Sequence, residues 1–178
     1  MLVLRVTQYQ HVTVTVTRRV TACPVTVFPS EGRTSIHTVS RNLIKYSASY
    51  AANKGRLNHQ TTYIAKRNDK GQWFQVDFGK IVKITTILTQ GRHNAAQWVT
   101  KFIVSYSLDG GYFSFQLHHP YNVPREYYAN RDYQTVAETK LDEPIIARIF
   151  RVHPVEWHAY ISMRLEFVGC DSGNCTSY

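Results

Sequence analysis

The sequence predicts an all-β fold, and three observations carry that prediction. Apolar and polar residues alternate with a period of two through much of residues 72–168, where β-branched and aromatic side chains are concentrated. No segment sustains the 3.6-residue apolar spacing of a helical face. Asp109-Gly110 stands between two alternating runs, and Asp-Gly in that setting signals a hairpin, because glycine accepts the positive φ that the turn requires. Many short strands separated by turns point to a sandwich or barrel.

Taken in chain order, the alternation predicts strands at 72–77, 82–89, 100–107, 112–116, 134–141, 147–153 and 162–168. The third and fourth flank Leu108-Asp109-Gly110-Gly111 and form the predicted hairpin. No internal repeat and no second domain is visible.

The 178 residues suit one domain with short extensions. A hydrophobic fraction of 43% is that of a globular chain able to bury a core. No stretch approaches the roughly 18 consecutive apolar residues of a membrane-spanning helix. Twenty-one Lys and Arg against 12 Asp and Glu give a net charge of +9, which attracts anionic partners without choosing among phospholipid, sulfated glycan and nucleic acid. The basic residues are spread along the chain, including throughout the stretch from Lys45 to Arg164, as on a solvated surface.

Three cysteines, Cys23, Cys170 and Cys175, do not supply the paired short spacings of a structural zinc site. The Gly-x-Ser-x-Gly, His-Glu-x-x-His and phosphate-loop motifs are missing from the sequence. His118-His119 precedes Pro120 and has no third ligand at strand or helix spacing. The sequence thus predicts no enzyme, no cofactor and no metal. Its tyrosines and phenylalanines interleave with basic residues, but no nucleic-acid-binding motif is present, and nucleic acid is not an expected partner.

The blocks along the chain resemble the discoidin family, also called the coagulation-factor C-type domain. They run Gln72-Trp73-Phe74-Gln75-Val76-Asp77-Phe78-Gly79, Thr89-Gln90-Gly91-Arg92 and Val104-Ser105-Tyr106-Ser107-Leu108-Asp109-Gly110. They continue through Pro144-Ile145-Ile146-Ala147-Arg148 and Trp157-His158 to Ile161-Ser162-Met163-Arg164-Leu165-Glu166-Phe167-Val168-Gly169-Cys170. The resemblance covers residues 23–170, in order and in register. It implies an eight-stranded, galactose-binding-like jelly roll and a non-catalytic, extracellular recognition or adhesion module. Residues 1–22 form an N-terminal extension and 171–178 a tail.

In such a domain the first and last cysteines bridge the termini, which implies a Cys23–Cys170 disulfide and leaves Cys175 over. Closing so long a loop stabilises by roughly 4–5 kcal/mol in the chain-entropy view, and the pairing argues for an oxidising compartment. The first 22 residues lack the apolar run and cleavage site of a secretory signal. They read as an altered start or part of a longer protein, so secretion is implied by the resemblance and the cysteines alone. Asn174-Cys175-Thr176 is a weak glycosylation sequon.

Discoidin-like domains bind through loops at one end of the barrel. Mapped by motif, the first loop is 47–54, the second 59–62 and the third 92–97, with a fourth connection at 121–132. The expected ligand-binding residues are Tyr50, Asn53, Lys54, His59, Gln60, Arg92, His93 and Asn94. They offer donors and acceptors for sugar hydroxyls and an aromatic ring for stacking. A cell-surface or matrix glycan is the first expectation. An anionic phospholipid such as phosphatidylserine is the alternative, drawn by Lys54 and Arg92 at about 1 kcal/mol each. The loop tips Tyr50-Ala51-Ala52 and Asn94-Ala95-Ala96 depart from the bulky apolar tips of membrane-binding relatives. Gly91-Arg92-His93 also resembles the third loop of collagen-binding receptors, which makes a matrix protein the third option.

Trp73, Trp157 and Tyr63 are expected in the core, with Tyr63 standing where the family usually has Trp. Trp98 fits either core or surface. Tyr50, Tyr121, Tyr127 and Tyr128 are the expected exposed aromatics. Asp77, Arg56, Arg148, Arg151 and Arg164 read as structural, anchoring loops or pairing with carboxylates.

Overall fold

The computed structural model describes residues 55–171. Nine strands lie within this range and no helix does. They are β1 Tyr63–Ile64, β2 Phe74–Gln90, β3 Trp98–Ser107, β4 Ser114–Phe115, β5 Leu117–His118, β6 Val123–Pro124, β7 Tyr127–Tyr128, β8 Ala137–His158 and β9 Ser162–Asp171. The main sheet runs β1-β9-β2-β8-β3-β4, with β7 also on β3, and β5-β6 form a separate ribbon. Its pairings are antiparallel. The expected all-β jelly-roll class is the one observed.

Two pairs of predicted strands are in fact single strands. Segments 72–77 and 82–89 join into the 17-residue β2, and 134–141 and 147–153 join into the 22-residue β8. At the first join Asp77 Oδ1 accepts the Gly79 N–H at 2.8 Å and Gly79 takes φ 69°, so the chain bends without leaving the sheet. At the second, Thr86 pairs with Lys140 but Ile84 with Ile145, so residues 141–144 form a bulge while pairing resumes on either side. These bulges let long strands turn the corner and curl the sheet around its apolar face.

The Asp-Gly hairpin forms as expected: Gly110 has φ 93°, Ser107 Oγ accepts the Gly110 N–H and Asp109 Oδ1 accepts the Gly111 N–H. The strand after it shrinks from 112–116 to Ser114–Phe115, because the two-glycine turn delays pairing until Ser114 meets Tyr106.

Inside the curl, Phe78, Phe150 and Phe167 meet in a triad with centroids 5.5–5.8 Å apart. Val82, Ile84, Ile87, Val104, Val152, Met163 and Leu165 fill the space around them. Each such buried side chain contributes about 1.5–3 kcal/mol by leaving water. Tyr63 is buried as expected, with its ring edge-on to Phe74 at 5.1 Å.

Three aromatic expectations need correction. Trp73 alternates with the buried Phe74 and is therefore half-exposed, under the Arg151 guanidinium at 4.3 Å. Trp157 is partly buried and packs against the core from its rim. Tyr127, expected at the surface, is 5% exposed and donates its hydroxyl to Gln116 Oε1 at 2.8 Å. Pairing of β7 with β3 points Tyr127 inward and leaves Tyr128 outside. Tyr121 is exposed as expected.

The structural arginines behave as read. Arg148 forks onto both oxygens of Asp77 at 2.8 and 2.7 Å, Arg56 reaches Glu166 at 3.3 Å, and Arg151 donates to Gln75 Oε1 while lying over Phe113. Cys170 is disulfide-bonded, and its partner cysteine lies outside the described residues, as does the expected Cys23.

Gly169 in β9 is fixed by sterics, since a Cβ there would fall 1.9 Å from the Lys83 carbonyl oxygen. Gly169→Ala should cost about 3 kcal/mol by forcing β2 and β9 apart, whereas Gly111→Ala, in ordinary contact only, should cost far less. Urea titrations of the two variants compare them directly.

His153 contributes a pH dependence. Its Nε2 lies 2.8 Å from Ser105 Oγ, and burial, reinforced by the Arg151 charge, lowers its pKa from 6.5 to about 4. The unfolded chain takes up the proton first, so stability is full above pH 6.5 and falls as pH drops toward 4. The loss from this residue should be about 3 kcal/mol. His153→Gln should flatten that stretch of the stability-versus-pH curve; an unchanged slope would show that other groups cause it.

Candidate functional site

The polar end of the barrel is organised by two cross-strand partners, Gln90 at the end of β2 and Arg164 near the start of β9. Arg164 is 4% exposed, and its guanidinium donates to the carbonyls of Gly91 at 2.7 Å, His59 at 3.1 Å and Tyr133 at 3.3 Å. Burial lowers its pKa. Gln90 Oε1 accepts the Asn58 N–H at 3.0 Å while its amide donates to the Gln134 carbonyl. Three loops, 59–62, 92–97 and 131–135, are thereby tied to one point. The expected loop-anchoring role of Arg164 is observed.

Gly91 permits this convergence: a Cβ there would lie 2.6 Å from Tyr133 Cα and 2.8 Å from the Gln97 carbonyl oxygen. The third loop then closes on itself. Arg92 N–H donates to Gln97 O at 2.9 Å, and its side chain donates to Asn94 Oδ1 at 2.9 Å and Gln97 Oε1 at 3.0 Å. Ser162 Oγ donates to the same Gln97 oxygen at 3.1 Å. Arg92 is thus a loop brace as well as a surface cation.

His93 sits where the second and third loops meet. The buried Thr62 Oγ1 accepts the His93 backbone N–H at 3.2 Å and lies 3.1 Å from its Nδ1. Burial lowers the His93 pKa, and the positive charges of Arg164, Arg92 and His59 lower it further. The imidazole is therefore neutral at neutral pH, with one nitrogen a donor and the other an acceptor. His59 Nδ1 meets Thr61 Oγ1 at 2.7 Å.

Of the eight expected ligand-binding residues, His59, Gln60, Arg92, His93 and Asn94 lie on these two neighbouring loops, with His59, Gln60 and Asn94 exposed. Tyr50, Asn53 and Lys54 lie outside the described residues. The fourth connection is not one loop: it contains β6 and β7, and the contact with the site is made just beyond its end, at Tyr133. Gln97, read as a third-loop donor and acceptor, acts as a brace for Arg92 and Ser162. Sequence reasoning missed Thr62, Gln90 and Tyr133. It also missed the stack of Trp98 on His158, whose rings lie 4.0 Å apart at 14°. Among the described residues no group of three or more His, Cys, Asp or Glu is placed to hold a metal.

Arg164→Met keeps the bulk of the side chain but orphans three carbonyls, and should cost about 3 kcal/mol. Amide exchange should quicken in loops 59–62, 92–97 and 131–135 more than in the β2–β8 ladder. Uniform quickening would mean that the residue supports the barrel as a whole.

Comparison with known proteins matches this architecture. The F5/8 type C domain family matches residues 35–167. Mouse retinoschisin is 36% identical over 132 residues, covering 72% of this chain and 59% of that protein. Canine coagulation factor VIII is 34% identical over 140 residues, covering 76% of this chain and 6% of that protein. The chain thus spans only part of the curated relatives it matches. The wild-type discoidin II of Dictyostelium discoideum superposes with a TM-score of 0.61 at 25% identity, over 68% of this chain and 50% of that one. A family 32 CBM of Clostridium perfringens NanJ, solved in complex with galactose, shares the fold with a TM-score of 0.53 at 15% identity, over 68% and 86% of the two chains. The strand topology, the convergent loop end and these matches together make the chain a member of the F5/8 type C, or discoidin, domain family.

Proposed function

We propose that the loop end binds a cell-surface or matrix glycan and performs no chemistry on it. The observation that carries this reading is the neutral hydrogen-bonding character of the site. His93 is held uncharged, while His59, Gln60 and Asn94 present donors and acceptors from loops braced to a rigid frame. His93, Gln60 and Asn94 suit paired hydroxyls on a sugar ring, since each offers direction without the desolvation cost of a full charge. Tyr50, Asn53 and Lys54 complete the proposed site from the first loop. The disulfide at Cys170 supports an extracellular setting.

Phospholipid binding is supported less well. Ala95 and Ala96 bury little apolar surface at the third-loop tip, and Arg92 shares its donors with Asn94 and Gln97.

A glycan array, with phosphatidylserine liposomes alongside, separates the two. Glycan binding should persist at moderate salt, and His93→Ala and Asn94→Ala should each weaken it about tenfold, the equivalent of about 1.4 kcal/mol. Liposome binding that salt abolishes, with a blank array and sensitivity to Lys54→Ala, would replace this reading with a membrane one.

A further inference from the structure

Beside the loop end lies an open groove of about 390 Å³, which shares Arg131 with the 131–135 loop. It crosses the start of β3. Trp98 forms part of its lining together with His158, its cross-strand partner and stacking neighbour. Trp157 adds a second indole, and Tyr128, 78% exposed on β7, stands on the other side of β3. Besides His158, the polar residues are Thr100, Asn130 and Arg131.

We propose that this groove is a second saccharide subsite, selective for a pyranose that bears an anionic group, so that the ligand is an oligosaccharide reaching from the loop end across β3. The inference rests on the glycan reading for the loop end, while the groove has arguments of its own. Aromatic faces that are partly exposed and held by neighbours suit the apolar face of a sugar ring, and the stack on His158 restrains the Trp98 indole. The volume falls in the range of small-ligand sites.

Asn130 supplies the second argument. It is 3% exposed, donates its amide to the carbonyls of Thr89 at 3.0 Å and Thr135 at 2.9 Å, and has an Oδ1 without a hydrogen-bond partner. These two bonds tie the Asn130 side chain, and with it the wall of the groove, to the strand and loop behind it, so the groove is held in shape before a ligand arrives.

Charge supplies the third. No Asp or Glu lines the groove, and Glu156 beside Trp157 is already bound to Lys101 Nζ at 2.8 Å. Arg131 is exposed at the groove, and a guanidinium fork matches carboxylate and sulfate alike. The groove also adjoins the loop site: Trp98 lies against Gly91, at the base of the third loop.

The test uses the full oxidised chain, with tryptophan fluorescence and calorimetry as readouts. The probes are a heparin-derived octasaccharide, a hyaluronan octasaccharide and neutral lactose, so that sulfate, carboxylate and uncharged sugars are separated. Tyr128→Ala should weaken both anionic octasaccharides at least fivefold. Arg131→Ala should weaken them about tenfold and reduce the salt dependence, leaving lactose binding as in the parent. Lys80→Ala, which removes the same charge at a residue paired with Asp171, should change binding less than twofold. The proposal is overturned if neither octasaccharide binds the parent, if Tyr128→Ala and Arg131→Ala bind like it, or if Lys80→Ala weakens binding as much as Arg131→Ala. A parent-like His93→Ala alongside weakened Tyr128→Ala and Arg131→Ala would instead retain the groove and remove the loop reading.

Discussion

A guanidinium buried among backbone carbonyls sets the geometry of the functional end. Arg164 cannot lose its proton under ordinary conditions, so folding must supply acceptors for a planar array of donors. It finds them in Gly91, His59 and Tyr133, from three segments far apart in the chain. Loop and side chain specify each other: the loops need a buried donor for their inward carbonyls, and the charge needs those carbonyls to offset its lost hydration. Gln90, paired across the strands, does the complementary work with a neutral amide that both donates and accepts. The loop end is therefore part of the same polar network as the top of the barrel.

The curl of the sheet decides what that network meets. Because β2 and β8 run continuously through their bulges, the end of β8 is carried back beside the start of β3, where His158 stacks on Trp98. The end of β2 arrives at the start of β9, where Gln90 faces Arg164. An uncurled pair of short hairpins would place neither contact. The aromatic groove and the loop cluster are neighbours because one set of bent strands delivers both.

Much of this was legible in the sequence, and the misses share a cause. The Asp109-Gly110 turn, the buried faces of the strands, Tyr63 and the structural use of Asp77 and Arg148 follow from local pattern and block order, though not that these two pair with each other. The strand breaks expected at Gly79-Lys80 and Asp142-Glu143-Pro144 did not follow, because residues that signal turns also make bulges, and only continued pairing on a neighbouring strand tells the two apart. Tyr127 and Tyr128 are adjacent and alike, so which one turns inward is set by register with β3. Thr62 with His93, and Trp98 with His158, are contacts between residues 31 and 60 positions apart whose types carry no mark of each other.

The division of labour among the loop residues bears on selectivity. A net charge of +9 draws anionic partners toward the molecule, and this long-range field acts on encounter more than on discrimination. Discrimination depends on the groups left available at contact. Within the third loop, Arg92 directs its Nε and one terminal nitrogen to Asn94 and Gln97, while the Arg164 charge is enclosed by carbonyls. What faces outward from His59, Gln60 and Asn94 is chiefly hydrogen-bonding capacity. Cations braced inside the loops therefore stiffen the site and help keep His93 neutral, so that the charge which attracts a ligand and the groups which select it are different residues.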